Sequence, residues 1–279
     1  MGALLGMSTG LSQAEREPRW EALETDAGRT YDIGHVFHAW DKAIPTADDD
    51  FHIADGRLLM ISWNGTDTIE IADGEHDQWI TSQAEAVRDL DRRVLLRWFW
   101  EMDGRRRLPL VHSGANYVAA WLHIRAIFDE VGAANAEFVW CPNDFLFRDG
   151  DPDQWYPGDD HVDWLCADGY NWADSTTSDE WLGIDEIFAD FHEWAAPRGL
   201  PIVIAETGVG EAEPGAKAEW LRSLPSLLES ELPEIDALVY FDKDFTDAGH
   251  RDWRLDTSPE AYEAWLEISA DPWLNPLDR

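Results

Sequence analysis

Short apolar runs recur along this chain, and each is followed by polar or glycine-rich sequence. Eight of the runs are nearly continuous in apolar residues, as expected for strands that are covered on both faces. The predicted strands are 3–7, 31–38, 57–63, 93–100, 137–141, 162–170, 201–205 and 237–241. The first of them has the weakest pattern.

Apolar positions at helical spacing occupy several of the segments between these strands. The predicted helices are 77–90, 115–131, 184–196, 216–228 and 259–268. Ser113 is a suitable N-cap for the second helix, and Gly132 a suitable stop. Ser258 and Pro259 are suited to the N-cap and the first position of the last helix.

Strands that alternate with helices over roughly 250 residues are typical of a (β/α)8 barrel. A doubly wound sheet is the structural alternative, but no glycine-rich phosphate-binding turn follows the first strand. The sequence shows no linker and no low-complexity tract. We therefore predict an α/β protein with one domain, 1–279, that forms a single (β/α)8 barrel.

Two of the predicted strands end in a glutamate that is soon followed by glycine. Glu101 ends the fourth strand and Glu206 ends the seventh. In barrels of this kind the carboxyl ends of the strands form the active site. Strict alternation would place Glu101 on the face of Leu95, Arg97 and Phe99, and Glu206 on the face of Ile202 and Ile204.

Two facing carboxylates are the equipment of a glycoside hydrolase. One donates a proton to the leaving oxygen, and the other attacks or stabilises the anomeric carbon. We expect the two carboxyl groups to lie about 5 Å apart, the separation of retaining enzymes. The alternative is that each glutamate only caps a loop or pairs with an arginine.

Composition excludes several classes of partner. The net charge is −36, from 57 acidic and 21 basic residues, which argues against binding to nucleic acid or to an anionic membrane surface. No segment approaches the ~20 apolar residues of a membrane span, and residues 1–10 lack the features of a secretion signal. The acid excess is spread over a chain with 17 tryptophans, so we predict a folded protein with an acidic surface, as in salt-loving organisms.

Metal and disulfide chemistry receive little support from the sequence. Cys141 and Cys166 lie on neighbouring predicted strands, so a bridge is conceivable, but we expect two buried free thiols. His35 and His38 should point to opposite faces of their strand, so we predict no shared metal. Residues 48–50 are three aspartates, which we interpret as a solvated acidic turn rather than a calcium loop.

The segment from Arg97 to Gly104 resembles the R-x-x-H-E-M-N-G motif of glycoside hydrolase family 26, which is β-mannanase-like and belongs to clan GH-A. Asp168-Gly169-Tyr170 resembles the family's D-x-Y, and 204–208 resembles its nucleophile strand. Residues 252–259 resemble a tail found in many bacterial members. The resemblance runs from the second strand onward, and leaves open that strand one is trimmed.

The resemblance implies a retaining endo-acting enzyme for β-linked polysaccharides, without a cofactor, in a family that is mostly secreted. Glu101 would be the acid/base, and Glu206 the nucleophile. Tyr170 would hold the nucleophile, and Asp168 would organise the hydrogen bonds around it. Arg97 would keep Glu206 ionised, whereas the aromatic neighbours of Glu101 favour its neutral form.

The chain departs from the family motif at two positions. Trp100 replaces the usual histidine before the acid/base, which puts mannan specificity in question. Asp103 replaces the usual asparagine and adds a charge that should raise the pKa of Glu101 further. Mixed-linkage β-glucan and β-1,3-xylan are therefore alternative substrates.

Other residues at predicted strand ends could bind sugar rings by stacking or hydrogen bonding. Trp63, Trp140, Trp172, His38, Asn143 and Phe241 are these candidates, together with Trp100. A non-catalytic carbohydrate-binding barrel is the second functional reading, and a metal-dependent barrel hydrolase is the third. We expect a monomer whose ligand is a polysaccharide or oligosaccharide.

The acidic composition predicts that the fold depends on salt, because salt screens the mutual repulsion of surface carboxylates. The melting temperature should fall when KCl is lowered from molar concentration to about 0.1 M, where the screening length is ~10 Å. Thermal unfolding followed by circular dichroism measures this. Equal melting temperatures at both concentrations would contradict the prediction.

Overall fold

Eight parallel strands close into a barrel in chain order, as the sequence predicts. The computed structural model describes residues 2–10, 13–173, 180–248 and 251–276. The strands are β1 Leu4–Thr9, β2 Ile33–His38, β3 Leu58–Trp63, β4 Val94–Trp98, β5 Ala136–Trp140, β6 Trp164–Asp168, β7 Ile202–Thr207 and β8 Ile235–Asp242. All six residues of β1 pair with β8, which closes the barrel.

Helices follow the strands and cover the outside of the barrel. They are α1 Gln13–Ala27, α2 Ala47–Ala54, α3 Thr68–Ala72, α4 Asp77–Asp89, α5 Leu108–Val111, α6 Gly114–Val131, α7 Phe145–Asp149, α8 Ile184–Ala195, α9 Ala216–Ser230 and α10 Pro259–Ser269. All five helices predicted from the sequence are present. None of the helices in the described part of the chain is long and apolar enough to cross a bilayer.

The predicted helix ends are confirmed where the sequence carried a capping signal. The Ser113 hydroxyl accepts a hydrogen bond from the backbone N–H of Asn116, and α6 stops at Gly132, whose φ is +76°. Ser258 accepts from the N–H of Ala261 at the start of α10. These contacts satisfy backbone groups that a helix end leaves open.

Helices α1 and α2 were not predicted, and their patterns explain why. Helix α1 contains a proline, Pro18, which lowers the helical signal of the sequence, and Trp20 and Leu23 are fully buried residues of this helix. In α2 the three aspartates 48–50 occupy the first turn, where carboxylates favour the helix dipole. The prediction of a solvated turn is wrong for Asp49, which is fully buried.

The core has two layers separated by the strands. Inside the barrel, small and branched side chains such as Val139, Val203 and Val239 pack together. Between the strands and the helices lies a larger layer with most of the buried tryptophans, including Trp63 and Trp140. Because residues alternate along a strand, each strand contributes to both layers.

Strand β4 ends at Trp98, two residues earlier than predicted. Phe99 and Glu101 both have a left-handed backbone, with φ of +45° and +53°. The Phe99 ring consequently packs in the outer layer, beside Gly65, and not on the inner face that carries Leu95 and Arg97. Strict alternation beyond residue 98 was therefore the wrong basis for placing Glu101.

Strand β7 also breaks the predicted alternation. Ile202 and Ile204 face the outer layer, whereas Val203 and Ala205 face the barrel interior. The register with β6 then shifts by one residue, so that Asp168 pairs with Glu206. A bulge of this kind re-aims the side chain that follows it, and it brings Glu206 into the barrel mouth.

Cys141 and Cys166 form a disulfide between the end of β5 and β6, so the expectation of two free thiols is wrong. Both sulfur atoms belong to the inner layer of the barrel. The two residues are adjacent because consecutive parallel strands are neighbours in the barrel, which was the geometric condition for a bridge.

Gly65 allows the Phe99 ring to reach its buried position, since a Cβ at residue 65 would overlap that ring. Gly65→Ala should lower the free energy of unfolding by about 1–3 kcal/mol, the usual cost of overpacking a core. Denaturant titration measures the change. In a Phe99→Ala background the same substitution should cost much less, because the ring is gone. Equal costs in the two backgrounds would contradict this account.

Candidate active site

A pocket of about 460 Å³ opens at the carboxyl ends of the strands. Both predicted glutamates line it. The full lining is Thr9, Gly10, Arg16, Phe37, Trp100, Glu101, Arg107, Tyr170, Trp172, Glu206, Phe241, Lys243, Phe245 and Trp253. Residues from β1 to β8 thus contribute to a single pocket at this end of the barrel.

Arg97 is the central ion of the site and is fully buried. Its Nη1 donates to both carboxylate oxygens of Asp168 at 2.6 Å, and its Nη2 donates to Glu206 Oε1. The Nε donates to the Ser62 hydroxyl at 2.6 Å. A buried guanidinium needs partners on every side, and these three come from β3, β6 and β7.

Glu206 is held at both of its oxygens. Arg97 donates to one, and the Tyr170 hydroxyl donates to the other over 2.6 Å. Burial raises the pKa of Tyr170 well above its usual value, and the neighbouring Glu206 carboxylate adds to this effect. Trp253 stacks on the Tyr170 ring with 4.3 Å between ring centroids, which fixes the ring that carries the hydroxyl.

Glu101 lies in a different environment. Burial raises the pKa of Glu101 from 4.5 to about 7, and the nearby Glu206 carboxylate contributes to the rise. Arg97 and Arg107 oppose the shift, and Asp103 reinforces it, as predicted from the sequence. The site therefore keeps a proton on Glu101 at mildly acidic pH, where an ordinary glutamate is ionised.

Asp103 ties the segment that carries Glu101 to the end of β5. It accepts hydrogen bonds from the backbone N–H and the side-chain amide of Asn143, at 3.1 and 3.0 Å. The backbone N–H of Glu101 also donates to the carbonyl of Cys141 at 2.8 Å. Asn143 thus holds the segment after β4 through Asp103 and does not line the pocket.

Three of the predicted sugar-binding residues line the pocket, namely Trp100, Trp172 and Phe241. Trp63 and Trp140 do not, because both point outward from their strands and are fully buried in the outer layer. Trp63 stacks on Trp40 with 4.7 Å between ring centroids and a 7° angle between planes.

His38 also lies away from the pocket. It faces outward from β2 and bonds to Asp49 of α2 over 3.0 Å. The residue of β2 that reaches the pocket is its neighbour Phe37, on the inner face with His35. Counting alternation from His35 could have identified Phe37, since it stands two positions later.

The aromatic and basic side chains that follow β8 carried no signal as pocket residues. Lys243, Phe245 and Trp253 lie in a segment without helical or strand periodicity, although Trp253 is within the tail noted above. Arg16 comes from α1, which was not predicted, and Arg107 from the loop after Glu101.

One group in the described residues has metal-ligand atoms close together, namely Cys141, Cys166 and Asp168. The two cysteines are joined to each other, and Asp168 is occupied by Arg97. In this oxidised state the group has no free ligand set for a metal ion.

The curated proteins to which this chain is similar are named as an endoglucanase and as β-1,3-xylanases. Endoglucanase H of Acetivibrio thermocellus is 30% identical over 266 residues, which cover 89% of this chain and 28% of that protein. A β-1,3-xylanase of a Vibrio species is 28% identical over 156 residues, covering 54% of this chain and 30% of the relative. The chain thus spans less than a third of the length of these curated relatives. No family model matches it.

Solved structures with the same fold include mannanases. A GH26 β-mannanase from Bacteroides ovatus superposes with a TM-score of 0.69 at 15% sequence identity, covering 98% of this chain and 89% of that one. At this identity the match shows that the two chains share the (β/α)8 architecture. It agrees with the closed barrel described above.

The raised pKa of Glu101 makes stability depend on pH. The folded protein keeps a proton on Glu101 up to pH about 7, whereas the unfolded chain releases it near pH 4.5. The contribution of Glu101 to the free energy of unfolding therefore falls as pH rises between these values. Glu101→Gln cannot ionise, so it should stabilise the protein by up to about 3 kcal/mol at pH 8.

Denaturant titrations at pH 5 and pH 8 measure this difference. The gain should be small at pH 5, and the exposed Glu229→Gln should show no such dependence. An equal effect of Glu101→Gln at both pH values would mean that the carboxyl group is not held neutral by the fold.

Proposed function

We propose that this chain is a retaining, endo-acting glycoside hydrolase for β-linked polysaccharides, similar to the enzymes of family 26. The observation that carries the proposal is that Glu101 and Glu206 line one pocket in contrasting environments. One carboxyl group is held neutral by burial, and the other is ion-paired. The names of the relatives, an endoglucanase and a β-1,3-xylanase, support the same class.

In the first step, Glu206 attacks the anomeric carbon of the sugar. The glycosidic C–O bond breaks while Glu101 donates its proton to the departing oxygen, which leaves as a hydroxyl group. The product of this step is a glycosyl ester on Glu206.

In the second step, a water molecule attacks the same carbon. Glu101, now ionised, accepts a proton from the water, and the ester bond to Glu206 breaks. The released sugar has the original anomeric configuration, and Glu101 is again protonated. The cycle needs no cofactor.

Arg97 and Tyr170 are positioning residues in this mechanism. Both donate hydrogen bonds to Glu206, one to each oxygen. Such donors hold a nucleophile in line with the reacting carbon before the substrate arrives. Asp168 in turn holds the guanidinium of Arg97 through its two oxygens.

Aromatic rings form much of the remaining wall, and we propose that they stack on pyranose rings. Trp100, Trp172 and Phe241 are the sequence-predicted candidates that line the pocket, and Phe37 and Trp253 line it as well. Trp100 offers a flat apolar face where family 26 usually has a histidine. Mannan, mixed-linkage β-glucan and β-1,3-xylan therefore all remain candidate backbones.

We also propose that the enzyme works as a monomer in a high-salt environment. The proposal of a high-salt environment is supported by the composition, in which 57 acidic residues outnumber 21 basic residues. Assays should accordingly be run in molar KCl as well as in dilute buffer.

Glu101→Gln and Glu206→Gln should each reduce kcat by about 10³-fold or more, because each removes one half of the acid–nucleophile pair. Reducing-sugar release from glucomannan, lichenan and β-1,3-xylan in molar salt measures the loss. Glu229→Gln, on the exposed face of α9, is the matched control and should keep wild-type activity.

Proton NMR of the first products should show the β-anomer before mutarotation. An α-anomer would overturn the retaining mechanism, and a near-native rate for either glutamine variant would overturn the assignment. Polysaccharide binding without any cleavage by the wild type would instead favour a non-catalytic carbohydrate-binding barrel.

A further inference from the structure

The pocket is richer in basic side chains than the chain as a whole. The protein carries 57 acidic and 21 basic residues. The pocket lining nevertheless has three cations, Arg16, Arg107 and Lys243, and two carboxyl groups, Glu101 and Glu206. Arg16 is ion-paired with Asp48, which lies outside the lining. Glu206 is ion-paired with Arg97. Arg107 and Lys243 are therefore the lining cations for which the described residues provide no ion pair.

Lys243 is one of only three lysines in the chain. It follows β8 directly, and its ammonium group lies 4.3 Å from the centroid of the Phe245 ring. Its aliphatic stem passes over Gly10, where any Cβ would overlap it. Within the described residues, no carboxylate oxygen lies within 4.0 Å of Lys243 Nζ. Packing thus holds a lysine at the pocket without an ion-pair partner there.

Arg107 provides a second cation in the lining of the pocket. Its guanidinium lies 4.8 Å from the centroid of the Trp100 ring, and Nη1 donates to Asn64 over 2.9 Å. It too has no carboxylate within 4.0 Å among the residues that the structure describes. Arg105 and Arg106, both exposed, precede it in the same loop.

We propose that the pocket accepts a polysaccharide carrying acidic substituents, carboxylate or sulfate, and that Lys243 and Arg107 bind these groups. The inference rests on the proposed glycosidase function and refines its substrate class. An anion beside Lys243 would complete an ion pair that the fold leaves open, and charge-assisted hydrogen bonds are the stronger ones. The aromatic rings near both cations would bind the sugar faces that carry the anions.

A second explanation is that these cations only balance the two catalytic carboxyl groups. Arg97 already ion-pairs with Glu206, and Arg107 lies close enough to oppose the rise in the pKa of Glu101. Lys243 instead contacts the rings of Phe241 and Phe245. It is therefore the residue whose removal best separates the two explanations.

The test compares neutral and acidic forms of one backbone. Konjac glucomannan and lichenan are each used untreated, with part of the C6 hydroxyls oxidised to carboxylates, and with part of the hydroxyls sulfated. For the wild type, kcat/KM should be higher on one acidic form than on its neutral parent. The form that is preferred tells whether carboxylate or sulfate is the recognised group.

Lys243→Met should lower the ratio of kcat/KM on that acidic form to kcat/KM on the neutral parent by about tenfold, the value of one charged hydrogen bond. Lys243→Arg should largely restore the ratio. Lys42→Met removes the same charge from an exposed lysine that does not line the pocket, and should leave the ratio unchanged. The wild-type ratio should also fall as KCl is raised from about 0.1 M to about 1 M. The screening length then shortens from ~10 Å to ~3 Å, and the attraction between the cations and the acidic substituents weakens.

Equal kcat/KM on neutral and acidic forms, or an unchanged ratio in Lys243→Met, would overturn the proposal while the glycosidase assignment stands. If the wild type cleaves none of the polymers, the proposed function fails. The proposal on acidic ligands is then tested by binding alone. The binding measurement is affinity electrophoresis of the Glu206→Gln protein. Retardation by the acidic forms that is lost on adding Lys243→Met would support the ligand class. Absence of such retardation would overturn it.

Discussion

The buried guanidinium of Arg97 is the constraint on which the site depends. A fully buried cation is tolerated only with complete hydrogen bonding and opposite charge nearby. Arg97 obtains both from Ser62, Asp168 and Glu206, which stand on three different strands. The strands must therefore hold a common register at the barrel mouth, and any shift would leave a charge unpaired in the core.

The two glutamates reach the pocket through local departures from ideal strand geometry. The backbone turns left-handed at Phe99 and again at Glu101. A bulge in β7 then brings Glu206 opposite Asp168. Irregular backbone next to a site is costly and persists where surrounding packing enforces it. Here the buried Phe99 ring and the Arg97 ion pairs supply that packing.

Much of the fold was predictable because its signals are local. Apolar runs marked the strands, and residues such as Ser113 and Gly132 marked helix ends. Glu101 and Glu206 were found from their positions at strand ends, but by an alternation that the backbone does not follow there. A left-handed residue and a bulge depend on tertiary contacts, so no periodicity in the chain reveals them.

The surroundings of the pocket were less predictable. Trp63 and Trp140 end strands and are aromatic, yet they pack outward, since the face of a strand-end residue depends on the exact register. Lys243 was not anticipated, because its place is set by the loop after β8 and by the space above Gly10. Loop residues of this kind become visible as site residues only when the barrel is closed.

The segment that carries Glu101 is anchored by two contacts to the end of β5, one from its own N–H and one through Asp103. Both anchors lie before Gly104, where the segment turns back on itself. Arg107, which also lines the pocket, comes after both anchors and is held by its own hydrogen bond to Asn64. The rim segment after β4 thus fixes Glu101 and Arg107 by separate sets of contacts, so that the position of one does not depend directly on the position of the other.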